Sequence, residues 1–336
     1  MVFAADAFTQ KEQGMGINRK AYIFLAASVL LFTCSCKKAE EQKADNRSGR
    51  LKVVASLFPM YDFARLIGGG HAAVTLLLPP GMEPHSFEPR PADIAELSSA
   101  DVFIYTNQYM EPWAEEIIKG VDRGRLLVVN ASEGVKYSGG RDSHAGLKRS
   151  AQHRNHEPGA GADPHIWLDF GNARKIVDTI ARSFSEKDPS HSNVYMTNAE
   201  GYKARLNELD GKYRGALSGC RKRVFINGGH YIFGYLAERY GLRYRAAYGF
   251  SPDAEPTARD LAEISRMLRE EGLNHIFYEE LLSPRIAETL AKETGAALLK
   301  LHGAHNISRE ELASGTSFLD LMEKNLENLV QGLQCR

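Results

Sequence analysis

The chain of 336 residues has no excess of charge of either sign, because 42 Lys and Arg residues are matched by 42 Asp and Glu residues. Proteins that are held electrostatically on nucleic acid or on an anionic membrane surface carry a basic excess, so no nucleic-acid partner is predicted. Hydrophobic residues make up 43% of the chain, which is an ordinary globular composition. The length is sufficient for two cores of roughly 120 to 150 residues each.

Two sequence patterns of hydrolytic enzymes are also missing. The chain contains no H-E-x-x-H, the pattern of many zinc hydrolases. It contains no G-x-S-x-G, the nucleophile elbow of serine esterases. No carboxylate is marked by its surroundings as a general base. These absences favour a binding protein over an enzyme.

The apolar stretch AYIFLAASVLLF, residues 21–32, is too short to span a bilayer. It follows Asn18-Arg19-Lys20, and a basic start before a short apolar run is typical of an export signal. The protein is therefore predicted to be extracytoplasmic. Residues 1–14 fit no signal pattern, which favours Met15 as the true start of translation.

The export signal ends in TCSCKK, residues 33–38, which resembles the processing site of bacterial lipoproteins. Cys36, preceded by Ser35, fits the lipidated position better than Cys34 does. Lipid chains on this cysteine are expected to anchor the protein to the membrane. The alternative is a soluble secreted protein with two incidental thiols. Residues 1–36 are thus interpreted as the signal with its cysteine, and the polar residues 37–50 as a flexible tether.

Cysteine is scarce in the rest of the chain, where only Cys220 and Cys335 remain. An oxidising compartment permits the two to pair. A disulfide between them would join the start of the second lobe to the last helix. The alternative is a buried Cys220 with a free Cys335, because pairing depends on the distance between the Cα atoms.

Short β-rich runs alternate with helical stretches: LKVVASL, AVTLLL, DVFIYT and RLLVVN in the first half, then KRVFIN, NHIFYEE and AALLKL in the second. This alternation predicts an α/β protein of two lobes with mostly parallel sheets. Helical periodicity over residues 172–187 and 191–217 predicts a long, rigid helical connection between them. The predicted domains are an N-terminal lobe over 51–171, linking helices over 172–217 and a C-terminal lobe over 218–336.

The two halves share the motif E-P-x-x-x-D-[IL]-A-E-[IL]-S, which begins at residue 88 and again at residue 255. Pro89 and Pro256 are each expected to pre-set the first turn of a helix. The two lobes are therefore interpreted as related units with corresponding loops facing one cleft. In this comparison His85 lies opposite Asp253.

Four histidines lie at or just after the ends of predicted strands: His85, His165, His230 and His302. Ligands of open α/β sheets bind beyond the carboxyl ends of the strands, and imidazole is the commonest metal ligand. A lone histidine is more often a surface or hydrogen-bonded residue. Four in equivalent topological positions predict a metal site.

The combination of VVASLFPMYDFARLIGG, GMEPHSFEPRPADIAELSSADVFI, DPHIWLD, GGHYIFGYLAERYGL, GFSPDAEPTARDLAEI and IFYEELLSPRIAETLAKETG resembles the metal-binding solute receptors of bacterial ABC importers for zinc and manganese. The resemblance covers about residues 51–330. It implies two α/β lobes joined by a rigid backbone helix, with the metal held in the cleft between them. It also implies a monomeric receptor, without enzymatic activity, that delivers its ion to a membrane permease driven by a separate ATPase.

By position in these motifs, the first three ligands fall on His85, His165 and His230. Most relatives carry an aspartate as fourth ligand after the last strand, where this chain reads LKLHGAHNIS. His302 is interpreted as its replacement, with His305, Glu280 or an open position as alternatives. Nitrogen ligands favour Zn²⁺ over Mn²⁺, which prefers carboxylates.

Other interpretations remain open from the sequence. They are a manganese receptor of the same family, a secreted zinc hydrolase with three histidines and an open water position, and a surface adhesin. A Gly-rich stretch over residues 139–162 holds His144, His153 and His156. It is either a weak collecting site for zinc or a plain disordered loop, and its interspersed basic residues oppose cation binding.

Overall fold

A computed structural model describes residues 49–121, 124–138, 162–251 and 255–336. These residues contain two four-stranded sheets in which every paired strand is parallel. Both sheets lie in one compact unit, Arg50–Arg336. The prediction of an α/β fold with two parallel sheets and a long helix is confirmed. The bounds of the elements follow.

The first sheet has the strand order β2-β1-β3-β4. Its strands are β1 (Leu51–Ala55), β2 (Ala72–Leu76), β3 (Val102–Tyr105) and β4 (Leu127–Asn130). The helices beside it are α1 (Phe58–Gly68), α2 (Pro91–Ser99) and α3 (Pro112–Gly120), with a 3-10 turn at Gly69–His71. Strands β1 and β3 are almost entirely buried apolar residues, which is the pattern of central strands covered on both faces.

Two helices connect the sheets, α4 (Phe170–Lys187) and α5 (Ser192–Ser218), after a 3-10 turn at Ile166–Leu168 and around another at Pro189–His191. Helix α5 has 27 residues and is therefore about 40 Å long at 1.5 Å per residue. Most of its predicted apolar face is buried, although Val194 is exposed. The predicted helical connection thus consists of two helices, and the longer of them, α5, is continuous over its whole length.

The second sheet has the strand order β6-β5-β7-β8. Its strands are β5 (Val224–Asn227), β6 (Arg243–Ala246), β7 (His275–Tyr278) and β8 (Ala297–Lys300). Its helices are α6 (Gly234–Arg239), α7 (Ala258–Glu270), α8 (Arg285–Thr294), α9 (Arg309–Ala313) and α10 (Phe318–Gly332). Strand β6 was not predicted, because its sequence RYRA lacks an apolar run. It is an edge strand that pairs with β5.

The two sheets repeat the same topology, with β1, β2, β3 and β4 corresponding to β5, β6, β7 and β8. The shared sequence motif forms the start of α2 and α7. In each, the aspartate accepts a hydrogen bond from the backbone N–H of the N-cap residue, at 2.8 Å for Asp93 and 3.0 Å for Asp260. Pro89 and Pro256 precede these N-caps, so the predicted helix start was two residues too early.

The main hydrophobic core extends from the first sheet through α4 and α5 to α10, and a smaller cluster lies between the second sheet, α7 and α8. Cys220 and Cys335 form a disulfide across 115 residues of sequence. The open question about these cysteines is therefore answered by a bridge.

Among the residues that the structure describes, no helix has the length and hydrophobicity that a membrane crossing requires.

Candidate metal centre

Three of the four predicted histidines converge. One ring nitrogen from each of His85, His165 and His230 lies within 4.8 Å of the other two. The ring centroids are 5.5 Å apart for His85 and His165, 5.5 Å for His85 and His230, and 5.2 Å for His165 and His230. His85 and His230 lie in the loops after β2 and β5, at the carboxyl ends of their sheets, whereas His165 directly precedes the 3-10 turn at Ile166–Leu168.

His165 is wholly buried and is oriented by Asp163. One carboxylate oxygen of Asp163 accepts the backbone N–H of His165 at 3.0 Å and lies 2.8 Å from its Nδ1. The loop is fixed further by Asn107, whose Nδ2 donates to the carbonyl of Pro164 at 3.0 Å. With Nδ1–H donated to the carboxylate, the lone pair of a neutral His165 is on Nε2.

His230 is also wholly buried and is oriented by Glu279, whose Oε2 lies 2.5 Å from its Nδ1. Asn227 completes the arrangement, since its Nδ2 donates to the carbonyl of His230 at 3.1 Å and to Oε1 of Glu279 at 2.8 Å. Gly229 makes this approach possible, because a Cβ at that position would lie 1.8 Å from Oε1 of Glu279. The Nε2 of His230 is consequently directed toward His165.

The two Nε2 atoms, of His165 and His230, lie 3.3 Å apart. Four ligands at Zn–N distances of about 2.0 to 2.1 Å in a tetrahedron are separated from one another by about 3.3 to 3.4 Å. The observed separation therefore matches one edge of a zinc tetrahedron. Two facing lone pairs repel each other unless a proton or a cation lies between them.

His302 lies after β8 but is not a member of this cluster. Its Nδ1 accepts the backbone N–H of Ala304 at 2.9 Å, which uses the lone pair of that nitrogen. Its Nε2 lies 3.6 Å from a carboxylate oxygen of Glu311, on α9. The ligand atoms that lie within 4.8 Å of one another do not include one from His302.

His305 lies three residues further on and is nearer the cluster. Its ring is packed edge-on against that of His230, with centroids 5.5 Å apart, and it is 1% exposed. Its Nδ1 lies 3.7 Å from Oε1 of Glu280, whose other oxygen accepts the backbone N–H of Gly303 at 2.9 Å. The same Oε1 of Glu280 lies 3.3 Å from the Nδ1 of His302, so this carboxylate is close to both histidines.

Burial dominates the electrostatics of the neutral rings. It lowers the pKa of His165 well below its ordinary value, and the neighbouring His230 and His85 lower it further. Burial and the same neighbours hold the pKa of His305 well below its ordinary value. Both rings are therefore neutral near pH 7, which is the state that binds a metal.

Three other buried groups, His230, Asp163 and Glu280, have raised pKa values. Burial alone would lower the pKa of His230, but the Glu279 carboxylate reverses this and raises it. Burial raises the pKa of Asp163 to about 8 and also raises that of Glu280. Without a cation the site therefore retains protons that a divalent ion would displace.

Asp163, Glu279 and Glu280 hold the rings, and their role was not assigned from the sequence. Asp163 was overlooked, although its position two residues before His165 in ADPHIWLD was a usable signal. Glu279 and Glu280 follow β7, and both side chains are buried.

Two other marked residues have structural roles. Asp169 accepts the backbone N–H of Asn172 at 2.9 Å and caps α4. Glu111 is buried and accepts the backbone N–H groups of Thr106 and Asn107 at 3.0 and 3.1 Å. Both residues fix loops near the site.

Several interpretations fall on residues outside the described ranges. They concern the lipidated cysteine at Cys36 or Cys34, the opposition of Asp253 to His85, and the loop histidines at 144, 153 and 156.

Residues 53–332 match the family model described as ZnuA, zinc-uptake complex component A, periplasmic. The chain is 36% identical over 313 residues to the high-affinity zinc uptake system protein ZnuA of Bacillus subtilis, covering 93% of this chain and 97% of that protein. It is 32% identical to the zinc-binding lipoprotein AdcA of Streptococcus pneumoniae, of which it spans 61%.

Solved structures of similar proteins superpose on this chain. The Zn(II)-bound ZnuA-like domain of Streptococcus pneumoniae AdcA superposes with a TM-score of 0.71 at 32% identity, over 85% of this chain and 99% of that one. The laminin-binding protein Lmb of Streptococcus agalactiae, described as having adhesin and metal-transporting activity, superposes with a TM-score of 0.73 at 29% identity. The match covers 84% of this chain and 99% of Lmb.

Proposed function

Because the chain belongs to the ZnuA family of periplasmic zinc-uptake components, we propose that it captures a zinc ion outside the cytoplasm and delivers it to an ABC-type importer. Membership confirms the resemblance found in the sequence, and it confirms the interpretation as a receptor rather than an enzyme. The alternative of a secreted zinc hydrolase is therefore set aside. Zinc is the cargo of this protein and undergoes no chemistry.

The observation that carries the proposal is the separation of 3.3 Å between the Nε2 atoms of His165 and His230. Each ring has its Nδ1 against a buried carboxylate, which is the usual second partner of a metal-binding histidine. His85 supplies a third nitrogen within 4.8 Å and is only half-buried. Zinc accordingly reaches the site from the side of His85.

For the fourth ligand we favour His305 over His302. Its ring lies against His230, and it is neutral near pH 7. The sequence favours His302, but its Nδ1 accepts the backbone N–H of Ala304 and its Nε2 lies on the side of Glu311. A site of four imidazoles favours zinc over manganese, since borderline nitrogen donors suit Zn²⁺ and hard oxygen donors suit Mn²⁺.

The arrangement of the whole protein is part of the proposal. Lobes over residues 51–171 and 218–336 enclose the site, and the linking helices over 172–217 resist a wide hinge motion. A lipid anchor at Cys36, or at Cys34, keeps the monomeric receptor beside its permease and ATPase. Two acyl chains are sufficient for stable attachment.

Isothermal titration of the demetallated protein with zinc and with manganese tests the metal. We expect one zinc per chain and a much weaker response to manganese. Absence of zinc binding, or tighter binding of manganese, would overturn the proposal. In the cell, deletion of the protein is expected to give a growth defect that micromolar zinc relieves, and no such defect would argue against the transport role.

A role as a surface adhesin is the second candidate. It is supported by the similarity to Lmb, which is described as bifunctional. Binding of the purified protein to immobilised laminin tests it, with and without zinc. Binding that persists in the His230→Ala variant would indicate an adhesive surface separate from the metal site.

A further inference from the structure

A short segment after β8, Asn306 and Ile307, is hydrogen-bonded to the turn that leads to His85. The side-chain Nδ2 of Asn306 donates to the carbonyl of Pro79 at 2.8 Å and to that of Met82 at 2.6 Å. The backbone N–H of Gly81 donates to the carbonyl of Ile307 at 2.8 Å. Three hydrogen bonds thus join two loops that are more than 220 residues apart in the sequence.

The carboxamide of Asn306 is fully used in this contact. Both N–H groups of Nδ2 are donated to the turn, and Oδ1 accepts the backbone N–H of Ile307 at 2.8 Å. The residue is wholly buried, so water cannot replace a lost partner without entering the protein. Because all the hydrogen bonds of this buried amide are made, it fixes both loops in position.

The other half of the same loop is attached to different elements. His302 exchanges two backbone hydrogen bonds with the side chain of Asn325 on α10, at 2.7 and 2.8 Å. The carbonyl of Gly303 accepts Nε1 of Trp167 at 2.9 Å. Between the two halves, Ala304 has a φ of 57°, a left-handed conformation that is unfavourable for a residue other than glycine.

The attachment of His305 therefore differs on its two sides. Before it, the chain is fixed to α10 and to the His165 segment. After it, Asn306 and Ile307 are fixed to the turn of Pro79, Gly81 and Met82. The residue next to one proposed ligand thus holds the turn that presents another, His85, and this is the ligand on the exposed side of the site.

We propose that Asn306 is a positioning residue that sets the placement of His85 relative to the other zinc ligands. The inference rests on the proposed zinc site. The pocket of the three histidines is completed only when the His85 turn is held, so the hydrogen bonds of Asn306 govern how long zinc is retained. Loss of these bonds loosens the turn that carries His85, while Asp163 and Glu279 still hold His165 and His230.

The test is the Asn306→Ala variant, with zinc affinity measured by titration and zinc release measured with an excess of chelator. We expect the affinity to fall about 10- to 100-fold, the range for the outer partners of metal ligands, and release to be correspondingly faster. With Co²⁺ in place of zinc, the visible absorption should change in the direction seen for His85→Ala. Asn306→Ser, which keeps a small polar group, serves if the alanine variant does not fold.

A double-mutant cycle separates positioning from mere destabilisation. If Asn306 acts through His85, the Asn306→Ala change has no further effect on affinity in the His85→Ala background. Asn198→Ala is the control, since its Nδ2 donates to the carbonyl of Ile67 at 2.9 Å, outside the loop that carries His305. It should lower stability while changing zinc affinity far less.

The possible failures are distinguishable. If the wild-type protein binds no zinc, the proposed function fails. If it binds zinc and His85→Ala weakens binding, but Asn306→Ala leaves affinity and release unchanged, the role of Asn306 is rejected. Additive effects of the two substitutions would reject it as well.

Discussion

The Nε2 atoms of His165 and His230 face each other at 3.3 Å while the Nδ1 atom of each ring lies against its own buried carboxylate, Asp163 or Glu279. This is a costly arrangement for two neutral imidazoles, because two acceptor lone pairs then point at one another. It becomes favourable when a proton or a cation occupies the gap. The contacts with Asp163 and Glu279 thus hold the two Nε2 atoms where together they can bind a cation.

The first prediction concerns these two rings. His165→Ala and His230→Ala should each weaken zinc binding by more than about 100-fold, beyond the range for outer partners of a metal ligand, while the circular dichroism spectrum is retained. His275→Ala is the control, because His275 lies at the opposite end of β7 from the site. Zinc affinity near the wild-type value in either variant would contradict the site.

The second prediction concerns the carboxylates. Glu279→Gln keeps the size of the side chain but removes the charge behind His230, so zinc affinity should fall by about 10- to 100-fold. Gly229→Ala should act in the same direction, since its Cβ would collide with Oε1 of Glu279. Glu271→Gln, at a surface ion pair with Arg243, is the control. An unchanged affinity in Glu279→Gln would deny Glu279 any role in binding.

The sequence indicated which strand ends carry histidines, because residue type and position relative to a strand are local properties. It did not indicate which carboxylates support them. Glu279 reaches Asn227 across 52 residues, and only the packing of β7 beside β5 makes that contact. Strand β6 was missed for a similar reason, since pairing with β5 compensates for its polar sequence.

The choice between His302 and His305 also depends on a contact that the sequence does not indicate. The two lie three residues apart in one loop, and the sequence does not reveal which ring faces the site. The left-handed conformation of Ala304 lies between them, and it orients the chain so that His302 faces Glu311 while His305 faces His230. No residue pattern predicts a left-handed alanine, because the conformation is unfavourable on its own.

The third prediction follows from this geometry. His305→Ala should lower zinc affinity by about tenfold or more, as the loss of one ligand among four requires. His302→Ala should change zinc affinity much less, because its Nδ1 accepts the backbone N–H of Ala304 and its Nε2 lies on the side of Glu311. Parallel titrations of the two variants decide the matter. The opposite ranking would restore His302 as the fourth ligand.

The fourth prediction concerns the disulfide between Cys220 and Cys335. Replacement of both by serine should lower the free energy of unfolding by about 2 to 5 kcal/mol, because the bridge closes a long loop in the unfolded chain. Zinc affinity should be unaffected, since neither cysteine is near the three histidines in the fold. Urea unfolding under non-reducing conditions measures the loss. The wild-type protein in reductant should behave like the variant, and equal stability in oxidant and reductant would contradict the prediction.

The last prediction is the pH dependence of zinc binding. The pKa of His230 is raised above its ordinary value by Glu279, and burial raises the pKa of Asp163 to about 8. A raised pKa means that a group keeps its proton to higher pH, and zinc binding requires His230 to be unprotonated and Asp163 to accept from His165. His165 contributes no proton in this range, because its own pKa is lowered.

Since protonation competes with the metal, zinc affinity should rise with pH through the range from about 6.5 to 8 and level off above it. Each competing proton makes the affinity about tenfold weaker for every pH unit below the pKa of its group. Titrations at pH 7 in two buffers of different ionisation enthalpy should give about one to two protons released per zinc. In Glu279→Gln the pKa of His230 should fall, and the rise in affinity should shift to lower pH. A profile that is flat between pH 6.5 and 8 in the wild-type protein would show that neither His230 nor Asp163 carries the proton that zinc displaces.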